Sequence, residues 1–179
     1  MKDVISAIKD RSSTRGHTPE PLTPDELNAL LSAGLQAPTA ANRQEVHFTV
    51  VNGGNPILAD IQAEMMKGRP NANPARNFYY DAPIVVILSG ADEFVWSWLD
   101  AGIAVENMAL AAEGLGLGSL IIGCIKDAML GEKKAEFNAA LGIPEGYSYR
   151  VAVALGHKAV SKEPHEYSMQ KNVNVCMKL

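Results

Sequence analysis

Residues 101–123 read AGIAVENMALAAEGLGLGSLIIG, a long apolar segment followed by alternating glycines and a short apolar run. The pattern predicts a long helix from residue 93 to about residue 114 that is apolar on nearly every side. Glu106 and Glu113 interrupt the apolar run, which favours a helix buried in a protein over a membrane span. We therefore expect this helix at the centre of the molecule or in an interface.

Gly114, Gly116 and Gly118 lie between this helix and a predicted strand at 119–122. A dinucleotide-binding fingerprint has the opposite order, because its glycines follow a strand and open a helix whose N-terminus meets a phosphate. The order and the spacing exclude a Rossmann nicotinamide-binding domain. The glycines instead end the helix and let the strand pack closely.

Outside this region the chain carries further helix and strand signals. Thr23 is a candidate N-cap, Pro24 a first helical residue, and Glu26 completes a capping box for a second helix. Other helices are predicted at 4–9, from 56 to about 66 and from 127 to about 141, and other strands at 46–51, 84–88 and 149–155. We expect an α+β domain with helices on both sides of a small sheet.

The tail after Gly156 is polar and then alternates at Val173 and Val175. A terminal alternating segment predicts a strand added to a sheet edge, including an edge of another subunit. The whole chain, 1–179, is predicted to be one domain whose tail, from about 157 to 179, embraces a partner subunit.

The composition fits one globular domain, with 179 residues, 47% hydrophobic and 20% charged. The net charge is −4, so the chain lacks the global positive charge of a typical nucleic-acid binder. Cys124 and Cys176 form no C-x-x-C pair, which excludes a zinc or dithiol motif and favours the reducing cytoplasm. There is no apolar run of signal-peptide length, and we expect binding to neither membrane nor nucleic acid.

Two segments carry candidate binding chemistry. Residues 11–15, RSSTR, combine two guanidinium groups with three hydroxyls, which suits a phosphate; a solvated basic turn is an equally good interpretation. Residues 38–44, PTAANRQ, let the backbone approach a flat polar ligand, although an ordinary helix-to-strand loop has the same composition. The histidines lack metal-ligand spacing and no serine lies in a G-x-S-x-G elbow, so we predict no metal site and no catalytic nucleophile.

These segments occur in order with three others, 80–86 (YDAPIVV), 114–123 (GLGLGSLIIG) and 154–156 (ALG). Together they resemble the flavin-dependent nitroreductase family, over residues 4 to 171. The resemblance implies a three-layer α+β fold, with a small mixed or antiparallel central sheet flanked by helices, in an intertwined homodimer with two FMN molecules at its interface. Because a flavin carries the redox chemistry, no catalytic protein residue is expected.

The resemblance also implies which residues hold FMN. Four N-terminal residues would bind its phosphate: Arg11, Ser12, Ser13 and Arg15. A basic residue near the C-terminus would complete that phosphate site, with Lys171 the best match and Lys158 the second. The other subunit would reach the flavin with five residues: Pro38, Thr39, Ala40, Asn42 and Gln44. Backbone groups along one ring edge would come from four residues: Leu120, Ile121, Ile122 and Gly123. Asn71 or Asn73 would contact the pyrimidine side.

The implied activity is ping-pong hydride transfer, in which NADH or NADPH and then a small-molecule acceptor, such as a nitroaromatic or a quinone, use one site. Glu45 and Val46 depart from the family, which often has Pro and Trp there. A carboxylate at this position would either alter the redox potential of the flavin or point to solvent, and the short chain leaves little sequence for a pocket wall. The alternative is therefore a flavin-binding protein for storage, redox sensing or partner-coupled electron transfer, without nicotinamide-dependent turnover.

Overall fold

The computed structural model describes residues 2–69, 71–73 and 75–173. Its helices are α1 (Val4–Asp10), α2 (Pro24–Leu35), α3 (Pro56–Lys67), α4 (Ser97–Gly114), α5 (Lys126–Leu130), α6 (Lys134–Leu141) and α7 (Met169–Asn172). Its strands are β1 (Val46–Asn52), β2 (Ile84–Ala91), β3 (Gly118–Ile122) and β4 (Tyr147–Gly156). A turn of 3₁₀-helix at Ala40–Asn42 precedes β1.

The strands form one antiparallel sheet in the order β1-β2-β4-β3. β2 and β4 lie at the centre of the sheet. Their nearly continuous apolar sequences are the pattern that predicts interior strands. β3 is an edge strand that pairs with β4 from Gly118↔Gly156 to Ile122↔Ala152. The other edge of β3 is therefore open to the segments that form the candidate site.

Side chains of β2 alternate between two cores, as the pleat of a strand requires. Val85 and Ile87 pack with residues of α3, α5 and α6 on one face of the sheet. Val86 and Leu88 pack with residues of α2 and α4 on the other face. The three-layer α+β prediction is confirmed, and the sheet is antiparallel throughout rather than mixed.

The helix boundaries follow local chemistry. α2 begins with the predicted capping box, in which Thr23 Oγ1 accepts from the Glu26 amide and the Glu26 carboxylate accepts from the Thr23 amide. The predicted start of α4 at residue 93 is wrong, because turn hydrogen bonds between residues 91 and 97 delay the helix to Ser97. The single helix predicted at 127–141 is also wrong. Gly131 has extended backbone angles there and separates α5 from α6.

The tail lacks the predicted strand within its described part. Residues 169–172 form α7, and Val173 follows it as an exposed residue. Val175 and Cys176 lie outside the described residues. Of the helices in the described ranges, none has both the length and the apolar character that crossing a membrane requires.

Candidate functional site

The basic segment 11–15 lies against the start of β3. The Thr14 amide donates to the Ser119 carbonyl at 2.9 Å, and Ser13 forms a parallel bridge with Ser119. Thr14 is buried, and a Cβ on Gly118 would stand 2.8 Å from its Oγ1. The glycine therefore permits the close approach, which is the packing role that the sequence predicts for these glycines.

The four N-terminal phosphate candidates differ in their surroundings. The Arg11 side chain is 20% exposed, and its Nε lies 3.7 Å from Glu106 Oε1. Ser12 and Ser13 are partly buried, whereas Arg15 is exposed. A separation of 3.7 Å is a loose ion pair and too long for a hydrogen bond. The Arg11 guanidinium therefore retains donors for another anion.

A cavity of about 250 Å³ opens beside this segment, and its lining includes Ser12, Thr14, Lys158 and Lys162. Ser12 Oγ donates to the Lys162 carbonyl at 3.1 Å, which ties the N-terminal segment to the chain after β4. Lys158 forms an antiparallel bridge with His17 at the same place. Lys158, the second candidate for the C-terminal base, is thus adjacent to residues 11–15.

Glu113 holds the Lys158 ammonium group. The Glu113 side chain is 5% exposed, and its two oxygens accept from Lys158 Nζ and Lys2 Nζ, each at 2.6 Å. Burial raises the pKa of Glu113, but the hydrogen bonds from Lys158 and Lys2 outweigh burial and hold that pKa below its usual range. The sequence did not reveal this contact, although an acid in an apolar helix was a signal for it.

Lys171, the first candidate for the C-terminal base, makes no such contact within the described residues. It is an exposed residue of α7, and its amide donates to Ser168 Oγ at 3.2 Å. Within the described ranges it forms neither a hydrogen bond nor an ion pair with residues 11–15. Of the two candidates, Lys158 is therefore the one that the described contacts of a single chain place beside residues 11–15.

The open edge of β3 presents backbone groups at alternate residues. The Ser119 carbonyl points away from β4, because it accepts from the Thr14 amide. Successive strand residues direct their backbone groups to opposite edges, so the groups of Ile121 point the same way as those of Ser119. Ile121 and Gly123 are exposed, whereas the other two flavin-edge candidates, at 120 and 122, are buried.

The loop between α3 and β2 reaches the end of β3. Arg69 Nη2 donates to the Cys124 carbonyl at 3.3 Å. Asn71 is exposed, and Asn73 Oδ1 accepts from the Ala75 amide at 3.0 Å. Arg69 was not among the site residues predicted from the sequence. The signal that could have identified it is a basic residue in a loop rich in Asn and Pro.

Residues 38–44 form a strained loop. Ala41, Asn42 and Gln44 have positive φ angles of 54°, 51° and 55°, which non-glycine residues rarely adopt. The Gln44 amide donates to Thr39 Oγ1 at 3.0 Å, and Gln44 Nε2 donates to Asn42 Oδ1 at 2.9 Å. Pro38 is exposed at the start of the loop. Strain of this kind persists where surrounding contacts enforce it, and it concentrates at binding sites.

Asp100 anchors this loop to α4. Asp100 is 2% exposed, and its Oδ1 accepts from the Ala40 amide at 3.0 Å. It lies in the first turn of α4, where the helix dipole favours a carboxylate. Thr39 and Gln44 also border a cavity of about 240 Å³ between the loop and α4. The sequence did not identify Asp100, because its partner is 60 positions away.

Glu45 is paired within the same loop. Arg43 Nε and Nη2 donate to its two oxygens, each at 2.8 Å. The Arg43 guanidinium lies 4.3 Å from the centroid of the Phe94 ring. The hydrogen bonds from Arg43 lower the pKa of Glu45, which is therefore charged and matched by a cation.

The two halves of the candidate site lie at opposite ends of α4. Asp100 in its first turn holds the 38–44 loop, and Glu113 in its last turn holds Lys158 beside residues 11–15. At 1.5 Å per residue these carboxylates are roughly 20 Å apart along the helix. One chain therefore does not bring the two sets of candidates together.

Residues 8–157 match the model of the nitroreductase family. The chain belongs to the nitroreductase family. A nitroreductase with bound FMN from Bacteroides fragilis NCTC 9343 has a TM-score of 0.85 and 28% identity, over 99% of this chain and 100% of that one. A second FMN-bound nitroreductase, from Desulfitobacterium hafniense DCB-2, has a TM-score of 0.85 and 27% identity, over 98% and 99%. An FMN reductase (NAD(P)H) of Bacillus subtilis is 29% identical over 141 residues, which are 70% of this chain and 56% of that protein. The family resemblance inferred from the sequence is confirmed.

Proposed function

We propose that this nitroreductase-family protein is an FMN-dependent NAD(P)H oxidoreductase that reduces nitroaromatic, quinone or related acceptors. FMN-bound nitroreductases of the same fold support the cofactor, and the Bacillus subtilis relative supports the nicotinamide reductant. The observation in this chain that carries the proposal is the open edge of β3. Its outward groups at Ile121 and Gly123 lie between the basic 11–15 segment at one end and the Arg69 loop at the other.

The residues along this edge fit FMN. From Ser119 to Gly123 the strand spans roughly 14 Å, a length comparable to a phosphate, a ribityl chain and part of a flavin ring. Arg11, Ser13 and their neighbours would bind the phosphate at the start of the strand, with Lys158 or Lys171 as a further cation. Ile121 and Gly123 would present backbone groups to the ring edge. When bound, FMN would supply hydride transfer from NAD(P)H to the acceptor.

A second copy of the chain would complete the site. The 38–44 loop lies too far along α4 to reach the phosphate segment of its own chain, so it would meet the flavin of the partner. Apolar side chains are exposed on α1, at Val4, Ile5 and Ile8, and around the start of α4, at Trp96 and Trp98. A homodimer would cover such surfaces, and the tail from about residue 157 would embrace the partner.

Two further expectations are affected by the structure. The alternative function, flavin storage or redox sensing, was inferred in part from the charge of Glu45. Arg43 neutralises this carboxylate, so Glu45 does not favour the alternative. A cytoplasmic location remains part of the proposal, and within the described residues Cys124 forms no disulfide bond, which is consistent with a reducing compartment.

Arg11→Ala tests the proposed phosphate site. A charge-assisted hydrogen bond contributes about 1.5–3 kcal/mol, so the Kd for FMN should rise about tenfold or more. Riboflavin lacks the phosphate, and its Kd should change little. Lys9→Ala removes an exposed positive charge nearby and serves as the matched control. Fluorescence titration gives both constants, and an equal loss of FMN and riboflavin affinity would place the phosphate elsewhere.

A further inference from the structure

Tyr149 lies on β4, behind the edge of β3 that would face FMN. Its side chain is fully buried, and its hydroxyl donates to the Ile122 carbonyl at 2.6 Å. Because Ile122 pairs with Ala152 across the sheet, its carbonyl points towards β4 and Tyr149.

The peptide group between Ile122 and Gly123 therefore connects Tyr149 with the open edge. The described residues contain no cis peptide bond, and a trans peptide directs its N–H opposite to its C=O. The Gly123 N–H consequently points away from β4. The Gly123 carbonyl accepts from the Lys126 amide at 3.1 Å, so the far side of the residue is also held in place.

We propose that Tyr149 is a positioning residue for the flavin site, whose hydroxyl fixes and polarises the Ile122–Gly123 peptide so that the Gly123 N–H is a stronger donor to bound FMN. This inference rests on the proposed function. A hydrogen bond accepted by a peptide carbonyl strengthens the bond that the same peptide donates, by about 10–30%. Reduction adds negative charge to the flavin ring, so a stronger donor at the ring edge favours the reduced state.

Tyr79 provides a matched comparison in the same core. It is 5% exposed and packs in the cluster that contains Tyr149. Its buried hydroxyl has no hydrogen-bond partner within the part of the chain that the structure describes. Burial raises the pKa of both phenols, so both are neutral. The two tyrosines thus differ in whether the hydroxyl holds the backbone of β3.

The test compares the midpoint potential of bound FMN in the wild type, Tyr149→Phe and Tyr79→Phe, measured by anaerobic dye equilibration. We expect Tyr149→Phe to lower the preference for reduced over oxidised FMN about two- to fourfold. At about 30 mV per tenfold change for a two-electron couple, the potential becomes about 10–20 mV more negative. Tyr79→Phe should leave it unchanged. An unchanged potential in Tyr149→Phe, or equal shifts in both variants, overturns the inference.

A measurement on the wild type keeps the inference testable even if Tyr149→Phe folds poorly. The amide proton of Gly123 should move downfield in the NMR spectrum when FMN binds, and an unmoved resonance overturns the inference. FMN titration of the wild type comes first. A wild type that binds no FMN refutes the proposed function itself. FMN binding with an unaffected Gly123 amide leaves that function standing, but it refutes the placement of the ring edge at Gly123 and with it the role of Tyr149.

Discussion

Glu113→Gln should weaken the anchor between the N-terminus, the end of α4 and the chain after β4. Glu113 accepts from Lys2 and Lys158, each at 2.6 Å, with its side chain 5% exposed. Glutamine keeps one acceptor oxygen and removes the negative charge, which leaves two ammonium groups close together. The lysine side chains are 42% and 29% exposed, so water replaces part of what they lose.

The magnitude follows from the burial of the carboxylate. A hydrogen bond to a charged group contributes about 1.5–3 kcal/mol, and partial solvation of the lysines reduces the loss, so we expect Glu113→Gln to cost about 2 kcal/mol. For a chain of this size that corresponds to a decrease in Tm of about 4–8 °C. Differential scanning calorimetry of the FMN-free protein at pH 7 measures it.

Glu64→Gln is the matched control for Glu113→Gln. Glu64 pairs with Lys67 at 2.7 Å on the surface of α3, where the carboxylate side chain is 18% exposed and the lysine side chain is 67% exposed. Exposed pairs contribute little, so we expect almost no change in Tm. Equal decreases in Tm for the two variants would refute the reasoning that burial of Glu113 determines the effect.

The difference in stability between the wild type and Glu113→Gln has a defined pH dependence. The pKa of Glu113 is lowered in the folded state, so its stabilisation is present above the unfolded pKa, near about 4.3, and is lost as pH falls through the folded pKa. The difference in Tm between wild type and Glu113→Gln should therefore be constant above about pH 5.5 and shrink below about pH 4.5. Burial lowers the pKa of His17, which destabilises both proteins below about pH 6.5 and cancels in the difference.

The remaining predictions concern the two segments that contact α4 and β3. Asp100→Ala removes the acceptor of the Ala40 amide, so it should lower the free energy of unfolding by about 1–3 kcal/mol and weaken FMN binding. Asp100→Asn keeps an acceptor and should lose less than half of that free energy. Wild-type FMN affinity in Asp100→Ala would contradict this prediction. Gly118→Ala places a Cβ 2.8 Å from Thr14 and should therefore displace residues 11–15. The Kd for FMN, measured by fluorescence titration, should rise as a result. Gly114→Ala, where a Cβ meets nothing within 4 Å, is its control, and equal FMN affinities would exclude the steric explanation.

Much of the fold could be predicted because its signals are local. The capping box at Thr23, the apolar runs of β2 and β4 and the glycines before β3 each act within a few residues of the chain. The break at Gly131 was missed because the amphipathic pattern continues across it. A Cβ there would lie 2.6 Å from the Asp127 carbonyl, and hydrophobic periodicity does not report backbone geometry.

The candidate site was only partly predictable, because long-range contacts position its segments. Composition indicated the segments 11–15 and 38–44, but the residues that position them act through contacts distant in sequence. Asp100 bonds to a residue 60 positions away, and Lys158 meets Glu113 across 45 positions. Tyr149 resembled any other core aromatic until its hydroxyl was located on the Ile122 carbonyl.

The most direct measurement is an absorbance spectrum of the purified protein with FMN, repeated without oxygen after NADH and then NADPH are added. We expect flavin bands that remain with the protein after gel filtration and that bleach with at least one of the two nucleotides. Bound flavin that neither nucleotide bleaches would contradict the oxidoreductase function and favour flavin storage or partner-coupled electron transfer. Absence of any bound flavin would contradict the site along β3 itself.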